Sequence, residues 1–205
     1  EYSKNQAPKH IVDKANEHHM PVLNYLEELA SHIKIEEQHV VVLDWLNGNR
    51  SILSNSHLTG SIFGLTLQTP YEMIHRAYIE ATAFGTKLIM KQFEDNHIPV
   101  HTVYASGGIP QKSKLLVEIY ANVLNKKVVV LDSSNASALG AAMLGATVGN
   151  AYSTLKEAAL SMKQPIAYIQ EPEFQKVQAY EPLYHKYCEL HDLLGRQYPE
   201  LSYLI

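Results

Sequence analysis

The fold of this chain is decided by ten residues at positions 103–112, VYASGGIPQK. The apolar run from Val100 to Ala105 predicts a buried strand, and the apolar positions between Leu115 and Val123 predict a helix. Two glycines stand where the strand ends. A strand that turns directly into a helix is typical of α/β domains, in which helices connect strands of a largely parallel sheet.

The same alternation continues on both sides of this stretch. Apolar residues at helical spacing predict a helix that begins at Tyr71 and extends at least to Leu88. Val128 to Leu131 predicts the next strand, and Ala136 to Val148, rich in small residues, predicts a third helix. The resulting order favours an α/β fold with a parallel or mixed central sheet flanked by helices.

The N-terminal part is predicted to be less regular. Lys9 to Ile35 has a helical pattern, with Pro21 in the first turn of its second half. Val40 to Leu43 is a β-branched run that predicts a short buried strand. Residues 51–69 are expected to be mostly irregular, and Gly60 and Gly64 interrupt any regular structure there.

The C-terminal part is predicted to be helical. Thr154 to Met162 predicts a fourth helix, and Phe174 to Leu194 predicts an amphipathic helix that breaks or restarts near Pro182. Three tyrosines recur at helical spacing in this last helix: Tyr180, Tyr184 and Tyr187. They are expected to form a half-buried packing face, and a homodimer interface is the alternative.

Composition limits the functional classes. The 205 residues include 46% hydrophobic residues, enough for a sizeable core, and their formal net charge of -4 gives no basis for a nucleic-acid partner. No membrane span or signal peptide is expected. The only cysteine, Cys188, excludes an internal disulfide and is compatible with the cytoplasm. Because the first residue is Glu1, we expect a processed chain or a piece of a longer one.

The glycine pair is the candidate ligand site. Ligands of open α/β sheets bind at the carboxyl ends of strands, and a backbone without Cβ atoms lets a ligand approach closely. Free N–H groups at the start of the following helix suit phosphate or a polar base edge. The candidate ligand-binding residues at this turn are Ser106, Gly107, Gly108 and Lys112. A plain strand-to-helix turn that needs glycine only for its geometry is the alternative.

Three further motifs carry a resemblance to a known family. Gly60 to Leu65 (GSIFGL), followed by Ile74 to Glu80 (IHRAYIE), resembles the second signature of the FGGY carbohydrate kinases, with departures at Met73 and Tyr78. Asp44 to Ser51 (DWLNGNRS) is similar to a run typical of the ribulokinase branch of that family. Residues 133–142 (SSNASALGAA) match its small-residue hinge helix. The resemblance extends from about residue 43 to the C-terminus.

The resemblance implies a fold and an activity. FGGY kinases have two RNase H-like lobes of the actin-like ATPase superfamily, which bind sugar in the first lobe and ATP mainly in the second. In the family, the glycines matching Gly107 and Gly108 lie against adenosine, and the residue at the position of Lys112 lies near adenine. The expected organisation is a helical lead-in (residues 1–38), a nucleotide-binding lobe (39–170) and a C-terminal amphipathic helix (171–205).

The family's catalytic aspartate and Mg²⁺-associated phosphate loops precede the matched region. The resemblance therefore implies a lobe that binds ATP with Mg²⁺, while another lobe binds the pentulose. It also implies that this lobe is inactive alone. The implied reaction moves the γ-phosphate of ATP to a ketopentose, L-ribulose. Asp44 and Asp132 end apolar strands, but such residues are more often turn residues than catalytic bases.

Two other functions remain open from the sequence. The chain could be a non-catalytic actin-like module that binds nucleotide or serves as a scaffold. A dinucleotide-dependent oxidoreductase is the third reading, but the sequence contains neither G-x-G-x-x-G nor a P-loop. Zinc is not expected either, because His18 and His19 are adjacent, point in different directions on a helix, and have no cysteine partners.

Overall fold

The computed structural model describes residues 5–132 and 135–203. Their helices are α1 (Lys9–Glu17), α2 (Val22–Ser31), α3 (Tyr71–Asp95), α4 (Gly108–Lys112), α5 (Lys114–Leu124), α6 (Ala136–Val148), α7 (Leu155–Met162) and α8 (Phe174–Asp192). The strands are β1 (Val41–Leu43), β2 (Ser61–Phe63), β3 (Thr102–Ala105), β4 (Lys127–Leu131) and β5 (Ile166–Gln170). None of the helices in this described part is long and apolar enough to cross a bilayer.

The strands form two sheets, and the larger one is mixed. β3 pairs parallel with β4, and β4 pairs antiparallel with β5. The small sheet is an antiparallel pair of β1 and β2. Because β3 and β4 run in parallel, with Ala105 opposite Val130, both strands end at the same edge of the sheet. The candidate site lies at this edge.

The long helix α3 organises the main core. It packs against α2, α5, α8 and β1, and ten of its 25 residues are buried. Phe84 contacts the rings of Tyr180, Tyr184 and Tyr187 on α8, with centroid distances of 6.2, 5.8 and 5.4 Å. The three tyrosines are all buried, which confirms their prediction as a packing face.

A buried polar network lies within this core and joins four segments. Arg76 Nε donates to Glu80 Oε1 at 2.8 Å, and its two other nitrogens donate to Ala30 O at 2.9 Å and to Tyr180 Oη at 2.8 Å. Gln38 Nε2 donates to Glu80 Oε2 at 3.1 Å. A buried ion pair is tolerable only when its remaining polar atoms are hydrogen-bonded, and this network meets that condition.

The helical pattern from Lys9 to Ile35 forms two helices, which separate where the backbone of His19 has a φ of 54° and Pro21 precedes the first residue of α2. One helix prediction was wrong in detail, because α8 continues through Pro182 without a break. The missing backbone hydrogen bond is offset there by aromatic burial on both sides of the proline, at Tyr180 and Tyr187.

Two strands, β2 and β5, were not predicted from the sequence. β2 lies inside the stretch expected to be irregular, and three of its residues pair with β1. β5 makes the sheet mixed, and its pairing with β4 shifts register between Val130 and Leu131. The predicted strands at Val40–Leu43, Val100–Ala105 and Val128–Leu131 are confirmed to within one or two residues at their ends. The prediction that the second of these is buried was wrong, because no residue of β3 is buried and Tyr104 is 67% exposed.

Candidate functional site

The glycine turn after β3 has a backbone that only glycine adopts readily. Gly107 has φ 97° and ψ 179°, a region that side chains with a Cβ rarely enter. A Cβ placed on Gly107 or on Gly108 would meet no atom within 4 Å. The protein therefore requires glycine at 107 for backbone geometry, while the space in front of both residues is open.

A cleft of about 730 Å³ lies beside this turn. It separates the carboxyl ends of β3 and β4 from one face of α6 and from the loop that precedes β5. Its walls are mainly apolar, with a few polar groups among them. They consist of Tyr104, Ser106, Leu131, Ala136, Leu139, Gly140, Met143, Lys163, Gln164, Pro165 and Ile166. We call this space the β3–α6 cleft.

The four predicted residues hold different positions relative to the cleft. Ser106 lines it, whereas Gly107 and Gly108 lie next to it and face open space. Lys112 is exposed at the last position of α4, away from the cleft walls. The backbone of the turn thus faces the open space beside the cleft. Lys112 is the farthest of the four residues from Ser106 along the chain.

Hydrogen bonds to the two neighbouring strands, β4 and β5, hold the turn in place. Gln111 Nε2 donates to Leu131 O at 3.1 Å, and the hydroxyl of Tyr168 on β5 donates to Pro110 O at 2.9 Å. On the other side, Ser113 caps α5 by accepting the N–H of Leu116 at 3.1 Å. The position of the turn is therefore fixed by the sheet on which it sits.

Helix α6 forms the far wall and is unusual in its exposure. Its sequence is almost entirely apolar, yet none of its residues is buried, and its main contact is with α7. Val148 is 83% exposed and Leu144 is 55% exposed. Ser133 and Ser134, the first residues of the predicted hinge-helix motif, lie outside the described residues.

The two aspartates at strand ends do not form a catalytic pair. Asp44 follows β1 and lines a separate pocket of about 340 Å³ with residues of the Trp45–Arg50 loop; partial burial raises the pKa of its carboxyl. Asp132 follows β4 and accepts a long contact of 3.5 Å from Gln111 Nε2. Within residues 5–132 and 135–203, no three His, Cys, Asp or Glu side chains are grouped as a metal site would require.

Comparison with known proteins identifies the family. Residues 2–148 match the family model described as "FGGY family of carbohydrate kinases, C-terminal domain". This chain belongs to the FGGY family. It is 97% identical over all 205 residues to a ribulokinase of Staphylococcus epidermidis and 68% identical over 203 residues to ribulokinase 1 of Staphylococcus saprophyticus. The matched part is 38% of each relative, so the chain spans well under half of their length.

Solved structures confirm the predicted fold of this FGGY chain. A ligand-bound xylulose kinase from Lactobacillus acidophilus superimposes with a TM-score of 0.78 at 20% identity, covering 98% of this chain and 39% of that one. A xylulose kinase from Rhodospirillum rubrum gives 0.75 at 23% identity, covering 96% and 38%. At such identities the likeness concerns the fold, an actin-like mixed sheet flanked by helices.

Sequence reasoning about the FGGY site missed most of the cleft walls. Ala136, Leu139, Gly140 and Met143 recur at helical spacing and share one face of α6, so this wall was recognisable as a face. The loop from Lys163 to Ile166 carries no local signal of this kind. It reaches the cleft only because β5 pairs with β4, which the sequence did not reveal.

Proposed function

We propose that this chain is the ATP-binding lobe of an FGGY kinase that transfers the γ-phosphate of ATP to a ketopentose, L-ribulose. The observation that carries this proposal is the side-chain-free turn at Gly107 and Gly108, which faces open space beside an apolar cleft. The ribulokinase names of relatives at 97% and 68% identity support the choice of sugar.

The cleft suits the adenosine part of ATP. Flat bases bind in apolar slots with a few polar groups that fix orientation. Leu139 and Met143 on α6 and Pro165 on the opposite loop offer apolar walls, and Ser106 and Gln164 offer polar atoms among the lining residues. In this proposal the base enters the β3–α6 cleft, and the backbone of Gly107 and Gly108 faces the rest of the nucleotide. Lys112 is exposed on α4 and does not line the cleft, so in this proposal it does not contact the base.

The transfer step needs groups that we assign to the rest of the kinase. Phosphoryl transfer to a hydroxyl uses a carboxylate that accepts the proton, and Mg²⁺ neutralises charge on the phosphates. No Asp or Glu side chain lines the β3–α6 cleft in the described part of the chain. We propose that the base, the main Mg²⁺ ligands and the pentulose site belong to the longer part of the relatives that this chain does not span.

Further parts of the proposal concern organisation. We propose residues 1–38 as a helical lead-in, 39–170 as the nucleotide-binding lobe and 171–205 as a helical C-terminal segment. We also propose that the kinase acts in the cytoplasm, where ATP is available. A homodimer would need a surface other than the tyrosine face of α8, because that face is buried within the chain.

The test is an ATP titration of the 205-residue chain by calorimetry, followed by an assay for ribulose phosphorylation with and without a co-expressed polypeptide that supplies the remaining length. We expect nucleotide binding by the chain and turnover only in the presence of the added polypeptide. Turnover by the chain alone, or no ATP binding in a folded sample, contradicts the proposal.

A second candidate function is a non-catalytic nucleotide-binding module. The absence of carboxylates from the described walls of the β3–α6 cleft favours it. It predicts ATP binding that the added polypeptide does not convert into sugar-dependent ATP hydrolysis. The same pair of assays therefore separates the two candidates.

A further inference from the structure

The short helix α4 cannot hold the glycine turn in place by itself. It has five residues, and isolated helices of this length are unstable in water because nucleation costs more than so few hydrogen bonds return. Its first residue follows Gly107, which has no side chain to cap the exposed N–H groups. Contacts from outside must therefore fix the turn.

Two side chains provide those contacts from opposite directions along the chain. Gln111 reaches forward to Leu131 O at the end of β4, at 3.1 Å. Tyr168 reaches back from β5 to Pro110 O, at 2.9 Å. Carbonyls at the end of a helix lack internal partners, so the tyrosine hydroxyl satisfies an acceptor that α4 leaves free.

The position of Tyr168 is itself fixed by the sheet. Its backbone pairs with Val130 on β4, immediately before the register shift. Its ring packs against the small apolar cluster that contains Val117, Ala121 and Val130. The Tyr168 hydroxyl is protonated and able to donate at neutral pH, and partial burial raises its pKa further.

We propose that Tyr168 and Gln111 are positioning residues for nucleotide binding, acting together as a clamp that holds the Gly107–Gly108 backbone at the mouth of the β3–α6 cleft. This role depends on the nucleotide site proposed above. Neither side chain needs to touch ATP: each acts through the carbonyl that it binds. The chemistry served is recognition of a nucleoside triphosphate by backbone groups, which requires those groups to be ordered before the ligand arrives.

The test compares Tyr168→Phe and Gln111→Leu with the matched control Tyr203→Phe. Tyr203 also loses one hydrogen bond on substitution, since its hydroxyl accepts Asn55 Nδ2 at 3.1 Å, but neither residue belongs to the turn or the cleft. Calorimetry with ATP measures the dissociation constant of each 205-residue variant. We expect a rise of roughly fivefold to tenfold for each clamp variant and none for the control.

Hydrogen exchange gives a readout that does not depend on the ligand. Without ATP, the amide of Ser113, which donates to Ile109 O at 2.9 Å at the end of α4, should exchange faster in both clamp variants, while amides of α3 keep the rate of the unsubstituted chain. Unchanged exchange at the turn overturns the clamp, and so does an equal acceleration across α3, because that would mark a general loss of stability. If the unsubstituted chain does not bind ATP, the proposed function fails, and the exchange rates still decide whether the clamp exists. Should Tyr168→Phe not fold, Gln111→Leu carries the same test.

Discussion

Helices α3 and α6 show how differently this lobe uses its apolar residues. In α3, ten of 25 residues are buried, and even its charged Arg76 and Glu80 are enclosed and paired. In α6, an almost continuous apolar sequence buries none. Since buried apolar area is the main source of stability, α3 stabilises the fold, whereas α6 leaves its apolar surface exposed. The predictions below test this division.

The largest expected effect comes from Arg76→Ala in α3. The substitution leaves the carboxylate of Glu80 buried without its cation and removes the donors to Ala30 O and Tyr180 Oη. We expect the free energy of unfolding to fall by about 3–5 kcal/mol, measured by urea denaturation. Arg196→Ala, which breaks the exposed pair with Asp192, is the control and should cost less than about 1 kcal/mol. Similar costs for the two variants would contradict the central role of α3.

The next effect concerns pH and also lies in α3. His75 is buried with both ring nitrogens unpartnered in the described structure, and burial lowers its pKa to about 4, from an ordinary value of 6.5. Below pH 6.5 the unfolded chain takes up a proton that the folded chain refuses. Stability should therefore be complete above pH 6.5 and decrease toward pH 4, by roughly 3 kcal/mol for this group. Unfolding curves for the unsubstituted chain and for His75→Leu between pH 4 and 7 measure the difference. The idea fails if both lose stability with the same slope.

A third prediction moves to the site. Gly107→Val forces a β-branched residue to a φ of 97°, and places its side chain in front of the open turn. We expect a loss of about 1–3 kcal/mol in stability, because the conformation is strained, with the fold retained. ATP affinity should fall by more than about 100-fold, roughly the 3 kcal/mol expected when a ligand loses close backbone contacts. Circular dichroism and calorimetry give the two readouts.

Gly108→Ala is the companion variant for the glycine turn. Its Cβ meets no protein atom, and its φ is not in the left-handed region, so it should fold normally. A folded Gly107→Val protein with unchanged ATP affinity would remove the turn from the nucleotide site.

The smallest expected effect belongs to α6. Val148→Ser replaces an apolar side chain that is 83% exposed, so the free energy of unfolding of the 205-residue chain should change by less than about 0.5 kcal/mol. Phe84→Ala in α3, which removes a buried ring, should cost about 3–5 kcal/mol in the same denaturation assay. A large cost at Val148 would show that α6 already contributes to the core.

Local patterns in the sequence predicted what local physics determines. Helix α3 and strands β3 and β4 follow from their apolar spacing, and the need for glycine at 107 follows from its place after a strand. β5 could not be predicted in this way. Only Tyr168 and Gln170 of its five residues are partly buried, and the other three are exposed. Its conformation is set by pairing with β4, whose paired residues lie 35 or more positions earlier. The Lys163–Ile166 wall of the cleft was missed for the same reason.

Pro182 illustrates a further limit of sequence patterns. Its local effect predicts a break, but the burial of Tyr180, Leu183 and Tyr187 around it keeps α8 continuous. The family resemblance supplied the nucleotide site as a proposal. It could not supply the contact between Tyr168 and Pro110, because those residues are 58 positions apart.

The contact between Arg76 and Tyr180 has a consequence for biosynthesis. The two residues are separated by 104 positions, so a ribosome must add that many residues after Arg76 before its guanidinium meets Tyr180. Until then, α3 leaves a partly satisfied charge and its aromatic face uncovered, in the state that chaperones recognise in nascent chains. A chain that ends before Tyr180 would lack this partner altogether, and Arg76 would keep one donor without its buried acceptor.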